Sequence, residues 1–322
     1  MKKIQGIFLI LVVVVVLTAI MSDAFLGAYN LENVLRRTAL FGIISIGVAF
    51  VIITGGIDLS IGSVICLVGC GLPWLLVEQQ WSVPMALCAV LGFSLAVGFL
   101  HGILVTKVKL QPFVVTLCGL LLYRGITRGF TGDQSQGFGT EYKDIRELAT
   151  GEIPLFGFDL PMPCVFMIMV AILAGIFLNK TIYGRYLLAL GNNEEAARFS
   201  GIDVDKMVVL AYVICALCAG LSGLLFVLDV NSAQPVDFGN FYELYAIAAA
   251  VLGGCSLRGG SGTIIGVVIG AALMQVLRNM IVLVDWIPTH IEYAIIGAVI
   301  LAGVTADEMI KRVVAKKRAT QD

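Results

Sequence analysis

The sequence predicts an all-α integral membrane protein of about ten transmembrane helices arranged as two related halves. Composition, run length and an internal repeat carry that prediction. Of the 322 residues, 59% are hydrophobic and 13% charged, and the mean hydropathy is +0.98. A water-soluble domain of this length would have to leave much of that apolar surface exposed, so lipid must be the main solvent. Apolar runs of about 20 residues recur along the chain, the length that crosses a bilayer at about 1.5 Å per residue. The stretch "GGIDLSIGS" at 55–63 returns as "GGCSLRGGS" at 253–261. A formal net charge of −1 gives no reason to expect a nucleic-acid partner. No polar stretch reaches the size of a soluble domain, so residues 1–322 read as one transmembrane domain.

Candidate spans fall at 5–22, 34–54, 62–78, 84–106, 112–130, 162–179, 207–229, 243–254, 263–284 and 290–305. The first, within "MKKIQGIFLILVVVVVLTAIMSDAF", could pass for a signal peptide, but no A-x-A cleavage pattern follows it, which favours a retained helix. The run at 112–130 carries Arg124 and Arg128, and 243–254 is short. Both are expected to be broken or partly re-entrant, a form tolerated where protein or a water-filled cavity covers the backbone. With an even number of spans and the N-terminus inside, 14 of the 21 Lys and Arg residues fall on inner segments. Inner loops are the basic ones, so both termini are expected to be cytoplasmic. The polar segment 180–206 and the basic tail 306–322 are then cytoplasmic, and the loop 131–161 faces outward.

In the two glycine stretches, Gly55, Gly56 and Gly62 align without a gap on Gly253, Gly254 and Gly260. Leu59 and Ser63 likewise align on Leu257 and Ser261. Glycines let the chain turn and let backbones approach, and repeats of this kind mark transporter halves. Asp58 is an ionisable residue expected at membrane depth, where such groups are costly and functional by default. Asp58 or Ser60 could equally cap the helix that follows. The pairs Cys66/Cys70 and Cys215/Cys218 share helix faces; neither histidine, His101 or His290, lies near them in sequence, so packing is the simpler role.

The segment 189–206, "ALGNNEEAARFSGIDVDK", is charged and helix-forming between two apolar runs. Asn192 or Asn193 can cap a short helix, with Glu194 and Glu195 in its first turn and Gly201 at its end. Two turns are too few to be stable alone. Phe199 and Ile202 would offer an apolar edge to a partner's groove; an ordinary helical loop remains the alternative.

Within that segment, "EAARFSG" resembles the E-A-A-x-x-x-G coupling loop of bacterial ABC importer permeases. "VIITGGIDLSIGS", "LQPFVVTLCGLLLYRG", "YGRYLLALGNNEEAARFSGI" and "NSAQPVDFGNFYELYAIAAAVLGGCSLRGGSGT" are similar to the ribose/xylose-type simple-sugar permeases, over about residues 30–310. Cys255 stands where a small polar residue such as Thr is expected, and 131–161 matches none of the family's stretches. The resemblance implies a type II-like ABC permease fold. It also implies that Asn193, Glu194, Glu195, Ala196, Ala197, Arg198, Phe199 and Gly201 form the helix that docks on an ATPase. Such a chain is a non-catalytic subunit that moves a monosaccharide, ribose or a similar simple sugar, across the inner membrane. It carries no cofactor; ATP and Mg sit on the partner ATPase. The implied partners are a second permease copy or paralogue, the ATPase, and a periplasmic or lipoprotein sugar-binding protein.

No G-x-x-x-x-G-K-[ST] occurs in the chain, consistent with an ATPase on another subunit. Candidates for the translocation path or its gate are Asp58, Ser60, Gln111, Thr116, Asn231 and Gln234, polar residues on or beside inward-looking helices. Gln111–Pro112 could simply start a helix. Branched-chain amino acid, nucleoside or autoinducer-like sugar permeases are alternatives within the superfamily. An ion-coupled carrier would call for more intramembrane carboxylates than Asp58, Glu243 and Glu292 supply. An intramembrane hydrolase lacks its parts, with no G-x-S-x-G or H-E-x-x-H present.

Overall fold

Long apolar runs become helices because lipid offers no partner for a free N–H or C=O, and a helix pairs them within one segment. The computed structural model describes residues 2–305, apart from 156–157, 285–287, 300 and 303–304. In chain order the helices are α1 (Lys2–Met21), α2 (Ala28–Ile53), α3 (Ile61–Pro73), α4 (Val83–Thr106), α5 (Pro112–Thr131) and α6 (Lys143–Thr150). They continue with α7 (Met162–Lys180), α8 (Ile182–Asn192), α9 (Glu194–Phe199), α10 (Val204–Val230), α11 (Tyr242–Leu252) and α12 (Ile264–Leu283). A π-helical turn, Trp74–Glu78, extends α3, and residues 292–299 are helical. Pro84, Pro112 and Pro163 stand in the first turns of α4, α5 and α7, where a missing N–H costs nothing.

Among the described residues, eight helices are long and apolar enough to cross a membrane: α1, α2, α3 with its π turn, α4, α5, α7, α10 and α12. The expected span at 243–254 is α11, whose 11 residues reach only about half the thickness of a hydrocarbon core. The tenth, 290–305, lies partly outside the described residues, and the basic tail 306–322 lies wholly outside them.

The expectation that 112–130 is broken is overturned, because α5 is continuous for 20 residues. Its arginines are answered by partners distant in sequence or just past the helix end. Arg124 Nη1 donates to the carbonyls of Pro235 at 3.0 Å and Phe238 at 2.7 Å. Arg128 grips Asp133 with two bonds of 2.7 and 2.8 Å. The loop 131–161 also holds more structure than a loop: α6, then β1 (Glu152–Leu155) pairing antiparallel with β2 (Phe158–Pro161).

α2 and α10 pack on each other at the centre, α10 also on α3 and α4, and α2 also on α7, α11 and α12. Small residues let these helices close up, as association in lipid requires. A Cβ at Gly98 of α4 would lie 2.6 Å from the Tyr212 carbonyl of α10, and one at Gly102 2.6 Å from Val209 Cα. Ser222 Oγ of α10 donates to the Leu40 carbonyl of α2 at 2.9 Å. The paired cysteines sit in this interior: Cys66 and Cys70 direct their thiols at the Pro235 and Ala233 carbonyls, and a Cβ on Gly47 would press on Cys218 and Cys215.

Candidate functional site

Two chain reversals after apolar helices build the base of the site. α2 ends at Ile53 and α11 at Leu252. Gly55 N–H bonds Ile52 O and Gly56 N–H bonds Val51 O, while Gly254 N–H bonds Val251 O and Cys255 N–H bonds Ala250 O. The patterns are identical, and both put a glycine at positive φ, +82° at Gly55 and +94° at Gly254, as this helix-ending motif requires. The structural equivalence is therefore Gly55 with Gly254, one residue out of step with the gapless alignment that paired Gly55 with Gly253. Hydrogen bonding at the helix end, rather than residue identity, sets the register.

The two reversals meet. Gly260 N–H donates to the Ile53 carbonyl at 2.9 Å, and a Cβ on Gly259 would come within 2.9 Å of Gly55 N. Gly191, near the end of α8, closes the junction: a Cβ there would fall on Ile53 O and Gly260 N. Gly62 is equally tight, facing Glu243 and the Gly239 carbonyl.

α9 stands directly beyond this junction. Of the two capping candidates it is Asn193 whose Oδ1 accepts the Ala196 N–H, at 2.9 Å, and Glu194 and Glu195 occupy the first turn. Gly201, at φ +82°, ends the helix with Gly201 N–H on Arg198 O and Ile202 N–H on Ala197 O. Ala197 is buried and Phe199 is 91% exposed. The expected apolar edge of Phe199 and Ile202 does not form, because Ile202 turns inward against the core. The projecting apolar side chain is Phe199.

Sequence reasoning missed what ties α9 down. Asp205, in the first turn of α10, accepts from Arg198 Nη2 at 3.0 Å and from Lys107 Nζ at 2.9 Å, with Lys109 Nζ at 3.8 Å. Arg198 also pairs with Glu194 at 3.1 Å, and these carboxylates hold its guanidinium pKa above the ordinary value. One carboxylate thus joins α9, α10 and the α4–α5 connection. Asp203 caps α10 through the Lys206 N–H at 3.1 Å, and the Lys206 ammonium 2.9 Å away holds its carboxyl below the usual range. A cavity of about 340 Å³ opens beneath, lined by Gly55, Gly56, Lys109, Gln111, Glu194 and Asp205.

The six path candidates do not converge. Gln111 lines that cavity and is the residue before α5. Asp58 is 2% exposed and spends its Oδ1 on Ser60 N–H at 2.9 Å and Ser60 Oγ at 2.7 Å. Neither Asp58 nor Ser60 caps α3, since Ser60 makes no side-chain cap bond. The Asp58 side chain is engaged in a turn two residues long. Thr116 donates to Pro112 O of its own helix. Asn231 and Gln234 are far from Asp58, beyond the other end of α10: Asn231 braces Phe138 N–H and Gly139 O, each at 2.9 Å, and Gln234 reaches Asp133 O at 3.4 Å. Beside Asp58 lies a pair the sequence did not single out, Tyr123 OH and His101 Nε2, 2.8 Å apart and buried.

Comparison with known proteins agrees with this architecture. A family described as "Branched-chain amino acid transport system / permease component" matches residues 30–304. The ribose import permease protein of Bacillus subtilis is 36% identical over 94% of this chain and 92% of its own length. That of Escherichia coli K12 is 37% identical over 94% and 93%, and the xylose transport system permease of the same strain is 32% identical over 90% and 87%. No solved structure matches the chain. Eight candidate spans and this family make it a multi-pass inner membrane protein, and membership implies an ATPase and a substrate-binding protein as partners. The chain belongs to the permease family of ABC importers, as a membrane subunit with no catalytic centre of its own.

Proposed function

We propose that this chain carries a monosaccharide, ribose or a similar simple sugar, across the inner membrane, driven by a separate ATPase subunit that docks on α9. The relatives named for ribose, allose and xylose support the substrate class. The observation that carries the coupling role is Phe199, 91% exposed on a short helix whose base is wired through Asp205 to α10 and the α4–α5 connection. An exposed aromatic on a two-turn helix is poorly placed in water and well placed in a partner's groove. In this reading segment 180–206 and both termini face the cytoplasm, 131–161 faces the sugar-binding protein, and two permease copies or paralogues enclose the path.

Nucleotide-driven closure of the ATPases would press on residues 194–201. The Arg198–Asp205 pair passes that displacement to the start of α10 and, through Lys107 and Lys109, to the start of α5. Behind them the glycine junction resists compression, since its contacts are between backbone atoms. The helices then rock as bodies and the path changes the side to which it opens.

Reconstitution of the chain with its ATPase and binding protein tests this. Glu195→Lys, or Gly201→Pro at a backbone φ that proline cannot adopt, is expected to leave the protein inserted and ATP hydrolysis running while sugar uptake falls. Unchanged uptake in both variants would remove the docking role. A panel of ribose, xylose, allose and leucine separates the sugar reading from the branched-chain amino acid one.

A further inference from the structure

The end of the bundle opposite α9 holds a second cavity, of about 310 Å³, between the first half of α2, the start of α11, the second half of α12 and Glu292. Of the motif stretches singled out in the sequence, only 231–263 reaches it, through Tyr242. Its lining is unusual for a membrane helix interface: Asn33, Arg37, Tyr242, Gln275, Arg278 and Glu292.

Several of these groups are unspent among the described residues. Arg278 Nε pairs with Glu292 Oε1 at 2.7 Å, and its guanidinium lies over the Tyr245 ring, 4.8 Å from the centroid. Asn33 donates its Nδ2 to Tyr29 O at 2.8 Å, which leaves its amide oxygen as an acceptor. Gln275 is 5% exposed, and its Nε2 is buried with no acceptor among the described residues. Native structures rarely leave such a donor unpaired. Arg37 forms no ion pair or hydrogen bond among the described residues, although its neighbour Arg36 has three carboxylates. Tyr242 forms a fixed wall, its ring packed 4.8 Å from Phe41 and 5.0 Å from Phe226.

The open valences are mixed. Among the described residues, Arg37 and Gln275 are left to donate, and the amide oxygen of Asn33 and the second oxygen of Glu292 to accept. A metal cation is excluded by the two guanidinium groups, and a fully anionic ligand would face Glu292. Vicinal hydroxyls, each both donor and acceptor, satisfy all four groups. The volume stands at the small end of ligand pockets and suits a molecule the size of a monosaccharide. We infer that this cavity is a receiving site for a neutral sugar at the end of the bundle remote from the ATPase, with Arg37 and Gln275 donating to its hydroxyls. The inference rests on the sugar reading above and adds where on the permease the sugar is held.

The test is protection from labelling. In the full assembly, with the exposed Cys88 and Cys118 replaced by Ala, Val282→Cys on the cavity rim is treated with a membrane-impermeant maleimide. D-ribose, D-xylose and D-allose are added separately, with sodium glucuronate and phosphate as anionic controls. At least one neutral sugar is expected to slow labelling. Gln275→Leu should weaken that protection about ten-fold while leaving the thermal midpoint equal or higher, because it removes an unpaired buried donor. No protection by any neutral sugar, protection by the anions alone, or a lowered midpoint in Gln275→Leu would each overturn the site. Uptake of the same sugars by the wild-type assembly is read in parallel. Uptake without protection overturns the site and leaves the importer reading standing; protection without uptake does the reverse.

Discussion

The two ends of α2 solve opposite problems. At its C-terminal end, Ile53 O meets the Gly260 amide and the backbone of Gly191, and no side chain intervenes. At its N-terminal half, Arg36 gathers Glu32 at 2.6 Å, Glu152 at 3.1 Å, Asp229 at 3.2 Å and the Ala149 carbonyl at 3.2 Å. One end is joined by main chain at closest approach, the other by long side chains around one guanidinium. Backbone contacts have few alternative arrangements, so the first end can transmit a displacement. Side-chain networks can exchange partners, so the second end can admit a ligand or a docking protein. The stiff end is the one beside α9.

The difference is sharpest under substitution. Gly191→Val puts branched carbon where Ile53 O and Gly260 N already stand, and neither is a side chain that can rotate away. The expected loss is about 4 kcal/mol or more, the range reserved for severe core conflicts. It should appear as failure to accumulate in the membrane or as a collapse of the thermal midpoint in detergent. A Gly191→Val protein with wild-type stability would show that the junction is loose. Arg36→Met comes next. The Arg36 side chain is 11% exposed, and its loss leaves Asp229, Glu32 and Glu152 without their shared cation, at a cost of about 3 kcal/mol. Asp229→Asn in the same background should recover part of that loss, because the uncompensated charge is what destabilises. A double variant no better than Arg36→Met would mean that packing of the arginine stem matters more than its charge.

What the sequence disclosed follows from how far apart the partners lie. Span positions and the Asn193 cap depend on neighbours within a few residues, and both were legible. The role of Asp205 was not, since Lys107 lies 98 residues away in the chain and nothing in either local stretch points to the other. Arg124 misled for the same reason: its answering carbonyls are at 235 and 238, so a sound helix looked broken. The glycine repeat was visible as a resemblance of letters, yet its register slipped by one, because Thr54 and Gly253 do the same job with different side chains. The far cavity draws Asn33, Gln275 and Glu292 from three separate segments, each unremarkable alone. The sequence alone does not place Ile202, because the reversal at Gly201 that bonds its N–H to Ala197 O also carries its side chain against the core.

The smallest expected effect concerns the one part of the stiff end that is itself marginal. α9 has six residues, below the length at which a helix persists alone, so its order depends on the cap and on the Arg198–Asp205 tie. Asn193→Ala removes the acceptor for the Ala196 N–H and should cost about 1 kcal/mol locally, too little to move the global midpoint measurably. Hydrogen exchange should report it, with faster exchange at the amides of residues 196–200 and no change in α10. Asn193→Asp keeps the acceptor and adds negative charge at the helix start, so it should restore protection. If coupling requires a preformed α9, uptake per ATP hydrolysed should fall in Asn193→Ala and recover in Asn193→Asp. If both variants couple as well as wild type while exchange in α9 rises, the partner's groove rather than the permease is what folds this helix.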